Sequence, residues 1–214
     1  MEIIEKKISN TPNKNLMLDA RESLRGKWGL GIKYISLTWL LFFILNAVPL
    51  LGIIVGGTFL LGISKFALSF VRSSKKTSKK DTNTVFISDN SFLDYGFSRF
   101  SIAIGANVLS SVFVFLWSIL LIIPGIIATY SYSMVWFVVS DNENIGPLEA
   151  LNKSKEMMKG YKWKLFCLHL RFFGWYILSI LSFGIGLLWF LPYLTVAMAN
   201  FYNDILDHEK LVDK

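Results

Sequence analysis

Polar and apolar positions divide the chain into three long uncharged stretches, separated by segments rich in charge. Residues 34–64, 100–140 and 172–203 contain no Asp, Glu, Lys or Arg. An α-helix crosses the hydrocarbon core of a bilayer in about 20 residues, so each stretch is too long for one crossing and suits two. The pattern predicts an all-α fold, a polytopic membrane bundle of six transmembrane helices in three hairpins, which forms a single domain over residues 1–214.

Breaks inside the uncharged stretches predict where each hairpin turns. Pro49 interrupts the first stretch, Pro124 and Gly125 interrupt the second, and residues 182–186 interrupt the third. Proline cannot continue a preceding helix without losing a backbone hydrogen bond, and glycine tolerates the backbone conformations of turns. The predicted spans are approximately residues 31–48, 51–70, 101–123, 126–140, 165–181 and 187–202.

The distribution of basic residues predicts the orientation of these spans. Lysine and arginine are concentrated before residue 34 and in the predicted loops 71–100 and 141–164. Segments of membrane proteins that stay in the cytoplasm carry such an excess of positive charge. We therefore expect both termini and both long loops to be cytoplasmic, with only short turns on the other side of the membrane.

The second cytoplasmic loop contains the pattern of an amphipathic helix. Pro147 suits the first turn of a helix, and Gly160 suits its end. Leu148, Leu151, Ser154 and Met158 recur at intervals of three to four residues, which places them on one helix face. We expect an amphipathic cytoplasmic helix that packs under the bundle; the alternative is a helix that docks a protein partner.

Net charge also bears on the partners of the protein. A charge of +7 would suggest nucleic-acid binding in a soluble protein, but here the basic residues flank apolar stretches, and we expect no nucleic-acid partner. Basic residues near a membrane attract anionic lipid headgroups, by about 1 kcal/mol per charge. Anionic lipids are therefore the expected partners, together with a membrane protein or a second copy of the chain. The candidate lipid-facing residues are Lys75, Lys76, Lys79, Lys80, Lys153, Lys155 and Lys159.

Three polar residues inside the predicted spans, Asn107, Arg171 and Asn200, are candidates for binding a ligand or lining a pore. Amides within membrane helices commonly form interhelical hydrogen bonds of about 0.6–2 kcal/mol, whereas an ionisable group within a span suggests a function. Arg171 lies close enough to the start of its span for the side chain to reach the headgroups. His169 lies on a different helix face from Arg171, because two residues turn a helix by about 200°. A joint metal or proton-relay site is therefore not expected.

No catalytic constellation is evident in the sequence. It contains neither paired carboxylates in the spans, nor a nucleophile beside a base, nor a cluster of metal ligands. We therefore expect a non-enzymatic protein without a cofactor. The leading hypothesis is an accessory or interaction component in membrane homeostasis or in self-protection against membrane-active peptides. The alternative is a small-solute transporter or channel, which a continuous polar cavity holding Asn107, Arg171 and Asn200 would favour.

Short motifs along most of the chain carry a family resemblance. They are residues 21–28 (RESLRGKW), 122–126 (IIPGI), 130–134 (YSYSM), 150–160 (ALNKSKEMMKG), 173–175 (FGW), 184–189 (GIGLLW), 192–193 (PY) and 201–202 (FY). Together they resemble domain-of-unknown-function family 975, multi-spanning membrane proteins of low-GC Gram-positive bacteria. The resemblance implies a bundle of helices in the bacterial cytoplasmic membrane and leaves the function open. The chain departs from the family at Arg171, where a small polar residue is usual.

Overall fold

The part of the protein that the structure, a computed structural model, describes consists of residues 9, 11–40, 49–77, 91–120, 122–142 and 144–212. Every regular element in these ranges is a helix, which confirms the all-α prediction. In chain order the helices are α1 (Asn13–Leu24), α2 (Trp28–Gly31), α3 (Pro49–Thr77), α4 (Ser91–Ser98), α5 (Phe100–Leu120), α6 (Ile122–Tyr132), α7 (Val135–Asp141), α8 (Pro147–Met157), α9 (Lys162–Leu181) and α10 (Leu187–Val212).

Three helical segments among the described residues are long and apolar enough to cross a membrane. They are Phe100–Ile119, Ile123–Asp141 and Lys162–Leu181. Within the molecule, only 11% of the first and 22% of the third are buried, compared with 50% of the second. We call the exposed apolar side chains of residues 108–127 and 166–189 the apolar band. Long apolar helices with such exposed surfaces are compatible with a membrane protein.

The other end of the bundle, which we call the base, is closely packed. It consists of residues 9, 11–24, 61–72, 95–106, 131–142, 144–165 and 193–208. Within the base α3 contacts α1, α4, α5, α7 and α10, and its apolar side chains are buried against these neighbours. The base also contains α8, which packs against α5, α6 and α7. The fully buried large side chains of the molecule lie mainly in this part.

Close approach of α3 to α4 and α5 depends on small residues. A Cβ atom added at Gly57 of α3 would lie 2.5 Å from the backbone oxygen of Ala103 on α5. A Cβ atom at Gly96 of α4 would lie 2.5 Å from the backbone oxygen of Thr58. Both distances are too short for a real side chain, so α3 can pack this closely against α4 and α5 only because these residues are glycine.

The first predicted hairpin is described in part. α2 continues through a π-helical turn, Ile32–Ser36, and the chain is helical as far as residue 40. Residues 41–48 of the predicted first span lie outside the described residues. Among the described residues α3 covers Pro49–Thr77. It therefore extends beyond residue 70, where the predicted second span ends.

Much of the described part of the predicted cytoplasmic loop 71–100 is helical. The end of α3 and all of α4 fall within it, and residues 78–90 lie outside the described residues. Charge in this segment marks a change from apolar to polar surface. That change does not stop a helix, because lysine and arginine are good helix formers.

The second predicted hairpin differs from the structure in two respects. The turn predicted at Pro124 and Gly125 is wrong, because α6 begins at Ile122 and both residues lie in its first turn. Proline is tolerated there since the first N–H groups of a helix have no helical partner. In addition, a turn at Ser133 and Met134 interrupts the predicted span 126–140. The following helix, α7, is buried in the base.

The third predicted hairpin agrees with the structure at its turn. Residues 182–186 separate α9 from α10, and Gly184 has a left-handed φ of 83°. α10 continues to Val212, well beyond the predicted end at residue 202. Its last part carries charged residues, which end the apolar stretch but not the helix. Gly160, with a φ of 87°, follows α8 as predicted.

The amphipathic helix predicted after Gly146 is present as α8, with one correction to its buried face. Leu151 and Met158 are buried as predicted, whereas Leu148 is exposed. Met157, which the pattern did not include, is buried instead. The hydroxyl of Ser154 donates a hydrogen bond to the backbone oxygen of Ser131 over 2.9 Å. This bond fixes α8 against the end of α6.

Candidate functional site

The three predicted site residues lie on three different helices. Asn107 lies half-buried on α5, which packs against α3, α6 and α8, while Arg171 is exposed on α9. Asn200 is buried on α10, where its side chain is 3% exposed. Neither polar atom of Asn200 has a hydrogen-bond partner within the described part of the chain. The three residues therefore lie on different helices and differ in exposure.

The predicted lipid-facing lysines are placed more simply. Lys155 and Lys159 are exposed, and the Nζ atom of Lys153 donates a hydrogen bond to Asn142 Oδ1 over 3.2 Å. Lys75 and Lys76 belong to the last turns of α3. The other two predicted residues, Lys79 and Lys80, lie outside the described residues. The described lysines thus lie on α8, just after it and at the end of α3.

An ion pair joins three helix ends in the base. Arg72 of α3 donates to both carboxylate oxygens of Asp141 at the end of α7, over 2.5 and 3.1 Å. It also donates to Asn203 Oδ1 of α10 over 3.2 Å, and the hydroxyl of Tyr202 donates to Asp141 over 3.4 Å. The forked guanidinium fits two carboxylate oxygens at once. This cluster therefore ties α3, α7 and α10 together.

The carbonyl groups at the end of α7 attract further donors. Lys65 Nζ and the hydroxyl of Tyr95 both donate to the backbone oxygen of Ser140, over 3.1 and 3.2 Å. Arg99 Nη1 donates to the backbone oxygen of Val139 over 2.6 Å. The last carbonyls of a helix lack helical partners and carry partial negative charge. Cations from α3 and from the start of α5 therefore stabilise the end of α7.

A second ion pair, Lys164–Asp204, lies in the base and contacts the amino-terminal segment. Lys164 Nζ lies 2.8 Å from Asp204 Oδ2, and both side chains are largely buried. The hydroxyls of Ser9 and Thr11 donate to the same carboxylate over 2.8 and 2.6 Å. Burial alone would raise the pKa of Asp204, but these hydrogen bonds and the charge of Lys164 together lower it below its ordinary value. We call this group the Asp204 latch.

A cavity of about 620 Å³ lies beside the base, between the amino-terminal helices and the α9–α10 hairpin. Its volume is within the range of small-molecule sites, about 300–1,000 Å³. One wall consists of Arg21 and Trp28. The opposite wall consists of residues from the end of α9, the following turn and the start of α10: Trp175, Leu178, Ser179, Leu181, Ser182, Gly186, Trp189, Phe190 and Tyr193.

The cavity is mainly aromatic, with few polar groups. The hydroxyl of Ser179 donates to the backbone oxygen of Trp175 over 2.7 Å, and that of Ser182 donates to the backbone oxygen of Ser179 over 2.8 Å. Among the described residues of the lining, Arg21 supplies the only charged side chain. Such an arrangement can hold an apolar molecule that carries an anionic group.

Sequence reasoning missed this cavity, because its two walls are far apart along the chain. Arg21 and Trp28 begin and end one of the motifs that carry the family resemblance. Trp175, Trp189 and Tyr193 belong to three others. Tryptophans occur within several of these motifs, and the cavity could have been predicted from this pattern. Each tryptophan taken alone is interpreted as an anchor at the membrane interface.

The described residues contain no group of three or more His, Cys, Asp or Glu side chains that could hold a metal ion. Comparison with protein-family models finds one match, "Protein of unknown function (DUF975)", over residues 93–209. This match covers more than half of the chain and includes α5 to α9 and most of α10. Neither the curated proteins nor the solved structures contain a significant match.

Proposed function

The chain belongs to the DUF975 family, whose function is unknown, and from this premise we propose that it is a multi-pass protein of the bacterial cytoplasmic membrane. In this proposal six spans form three hairpins, and both termini are cytoplasmic. The observation that carries the proposal is the contrast between the exposed apolar band and the closely packed, charged base. Lipid chains would cover the band, and water and headgroups would meet the base.

Contacts between helix ends support the three hairpins. Arg99, at the start of α5, bonds to the end of α7, so the chain leaves the base through α5 and returns through α6 and α7. Lys164, at the start of α9, pairs with Asp204 of α10, so the chain leaves and returns a second time. Ser9 and Arg72 also bond within the base, which supports a further excursion between them.

We propose that the protein acts as a non-enzymatic accessory or interaction component, in membrane homeostasis or in self-protection against membrane-active peptides. Exposed Lys155 and Lys159 at the base would hold anionic headgroups. The charged side chains of the two ion pairs are engaged with one another within the base, which supports a structural use of these charges. The transporter hypothesis would use Asn107, Arg171 and Asn200, which lie on three different helices.

Labelling of single cysteines tests the membrane arrangement. In a Cys167→Ser background, Ile185→Cys in the α9–α10 turn should react with a membrane-impermeant maleimide in intact cells. Lys155→Cys on α8 should react only after the cells are permeabilised, which also serves as the control for its reactivity. Labelling of Lys155→Cys in intact cells would contradict the proposed orientation.

The proposed role is tested by survival of cells exposed to cationic membrane-active peptides. A deletion strain should be more sensitive than its parent, and the intact gene should restore resistance. The double variant Lys155→Glu/Lys159→Glu should restore it less well, because reversed charges repel anionic headgroups. Equal sensitivity of the parent and deletion strains would count against self-protection.

A further inference from the structure

We infer that the cavity between Arg21 and Trp28 on one side and the α9–α10 hairpin on the other binds one phospholipid with an anionic headgroup. The phosphate would lie at Arg21, and an acyl chain would lie against the tryptophans. This inference rests on the proposed membrane embedding and adds to it a specific lipid site. Three observations carry it: the exposure of the cavity wall, its single charge and its aromatic lining.

Part of the cavity wall belongs to the exposed apolar surface. Trp175, Leu178, Leu181 and Trp189 line the cavity, and each is at least half exposed. All four are members of the apolar band. A ligand that arrives along this surface therefore comes from the same apolar phase that covers the band. A membrane lipid can reach the cavity without leaving that phase, whereas a free water-soluble anion must approach from the aqueous side.

The charge of the cavity selects an anionic headgroup. Arg21 is exposed on α1, and neither salt bridge found among the described residues involves it. A guanidinium presents its N–H donors in a planar fork that matches two oxygens of a phosphate. Aromatic linings without a charge also suit quaternary ammonium groups. At this site the positive charge of Arg21 would repel such a headgroup, so a net negative headgroup is favoured over a choline headgroup.

The aromatic lining suits an acyl chain. Trp28, Trp175 and Trp189 present large, mainly apolar rings against which such a chain can pack. Ser179 and Ser182 stand in the same wall as Trp175, with hydroxyls whose protons are engaged by helix carbonyls. The lining thus changes from charged at Arg21 to apolar at Leu181.

The experiment counts the lipids that stay bound to the protein. Purified protein is placed in nanodiscs with equal amounts of phosphatidylglycerol and phosphatidylcholine, and is then released for native mass spectrometry. Wild-type protein should retain one phosphatidylglycerol with a preference of about tenfold, the size expected for one charge-assisted contact. Arg21→Gln should lose the preference, while Arg21→Lys should keep part of it because the charge remains.

Arg25→Gln provides the matched control. Arg25 is also exposed and lies four residues from Arg21, but it does not line the cavity, so its replacement should leave the preference unchanged. Thermal unfolding of each variant verifies that it is folded. An equal preference in wild type and Arg21→Gln would overturn the inference. So would loss of the preference in Arg25→Gln to the same extent, because the charge would then act without the cavity.

Two further outcomes separate the lipid site from its alternatives. Inorganic phosphate at millimolar concentration should not displace phosphatidylglycerol; displacement would identify a site for free anions and overturn the lipid assignment. Protein that enters nanodiscs of phosphatidylcholine alone but shows no lipid preference would contradict this inference and leave the membrane embedding intact. Protein that enters no nanodisc would contradict the embedding and, with it, the lipid site.

Discussion

The two halves of α9 differ in what covers their apolar side chains. Leu165 and Leu168, near its start, are fully buried within the protein. Leu178 and Leu181, near its end, are more than half exposed, although they are the same residue type in the same helix. Exposing apolar surface to water costs about 25 cal/mol per Å², so leucines in the second half require an apolar surrounding other than the protein. A bilayer supplies such a surrounding.

Polar contacts follow the same division. Arg72 with Asp141 and Lys164 with Asp204 are the two salt bridges found in the described part of the chain, and both lie in the base. In the band, hydroxyls such as those of Ser118 and Ser179 donate to carbonyls of their own helix. The base is therefore held by contacts between helices, whereas the hydroxyls of Ser118 and Ser179 bond within their own helices.

The largest expected effect is a charge placed in the core of the base. Leu151 of α8 is 1% exposed, and Leu151→Asp would bury a carboxylate among apolar groups. We expect a loss of about 3–5 kcal/mol in the free energy of unfolding, measured by thermal or denaturant unfolding in detergent. Leu148→Asp on the same helix is the control, because Leu148 is 54% exposed, and it should change stability by less than about 0.5 kcal/mol. Similar losses in both variants would mean that α8 does not pack as described.

A smaller effect should separate the band from the base at equal exposure. Val112 in the band is 48% exposed, and Leu18 on α1 is 51% exposed. Val112→Lys should reduce the amount of protein in the membrane fraction, since a lysine near the centre of a span costs about 3 kcal/mol on insertion. Leu18→Lys should have little effect, because we place α1 with the base. Equal yields of the two variants would contradict the assignment of the band to lipid.

The Asp204 latch should contribute less and should depend on pH. Asp204→Asn removes a largely buried charge partner of Lys164, at an expected cost of about 2 kcal/mol near neutral pH. Because the pKa of Asp204 is lowered in the folded state, its contribution is full above the unfolded value near 3.9 and is lost as pH falls through the folded value. The stability gap between wild type and variant should thus stay constant from about pH 5 to 7 and close below about pH 4.

The exposed Asp207 provides the control for this latch, since Asp207→Asn removes a carboxylate from the same helix. This variant should change stability by less than about 0.5 kcal/mol. A stability gap for Asp204→Asn that widens as the pH falls would contradict the sign of the pKa shift.

The smallest effect is expected at Arg171. Its side chain is exposed, so both Arg171→Lys and Arg171→Ser should change the free energy of unfolding by less than about 0.5 kcal/mol. Thermal unfolding measures the change in stability, and survival of cells exposed to membrane-active peptides measures resistance. Loss of resistance in both variants, with unchanged stability, would identify Arg171 as a binding residue and favour the transporter hypothesis.

The sequence predicted the helices better than it predicted their surroundings. Uncharged length located α5 and α9, and glycine located the turn after α9. Hydropathy could not distinguish Val135 and Val138, which are buried in the base, from Phe115, which is exposed in the band. All three are apolar, and only tertiary contacts decide whether protein or lipid covers them. The same reason explains why the burial of α7 was not foreseen.

The sites were harder to predict than the helices. Asn107, Arg171 and Asn200 stood out because polar residues are rare in apolar stretches. Their rarity along the sequence carries no information on which residues meet in space. The cavity depends on Arg21 and Trp189, whose proximity follows from the packing of α1 along α10. The periodicity of apolar residues describes one helix at a time, so it carries no information on contacts between distant helices.

The Asp204 latch also has a consequence for the order of assembly during synthesis. The hydroxyl of Ser9 meets a carboxylate 195 positions later in the chain. At roughly 5–20 residues per second, the ribosome adds Asp204 about 10–40 s after Ser9. Throughout that interval the amino-terminal segment has been synthesised but Asp204, its hydrogen-bond partner, has not. The hydrogen bonds of the Asp204 latch therefore form only after α10 has been synthesised, and nascent chains that stop before α10 lack these bonds.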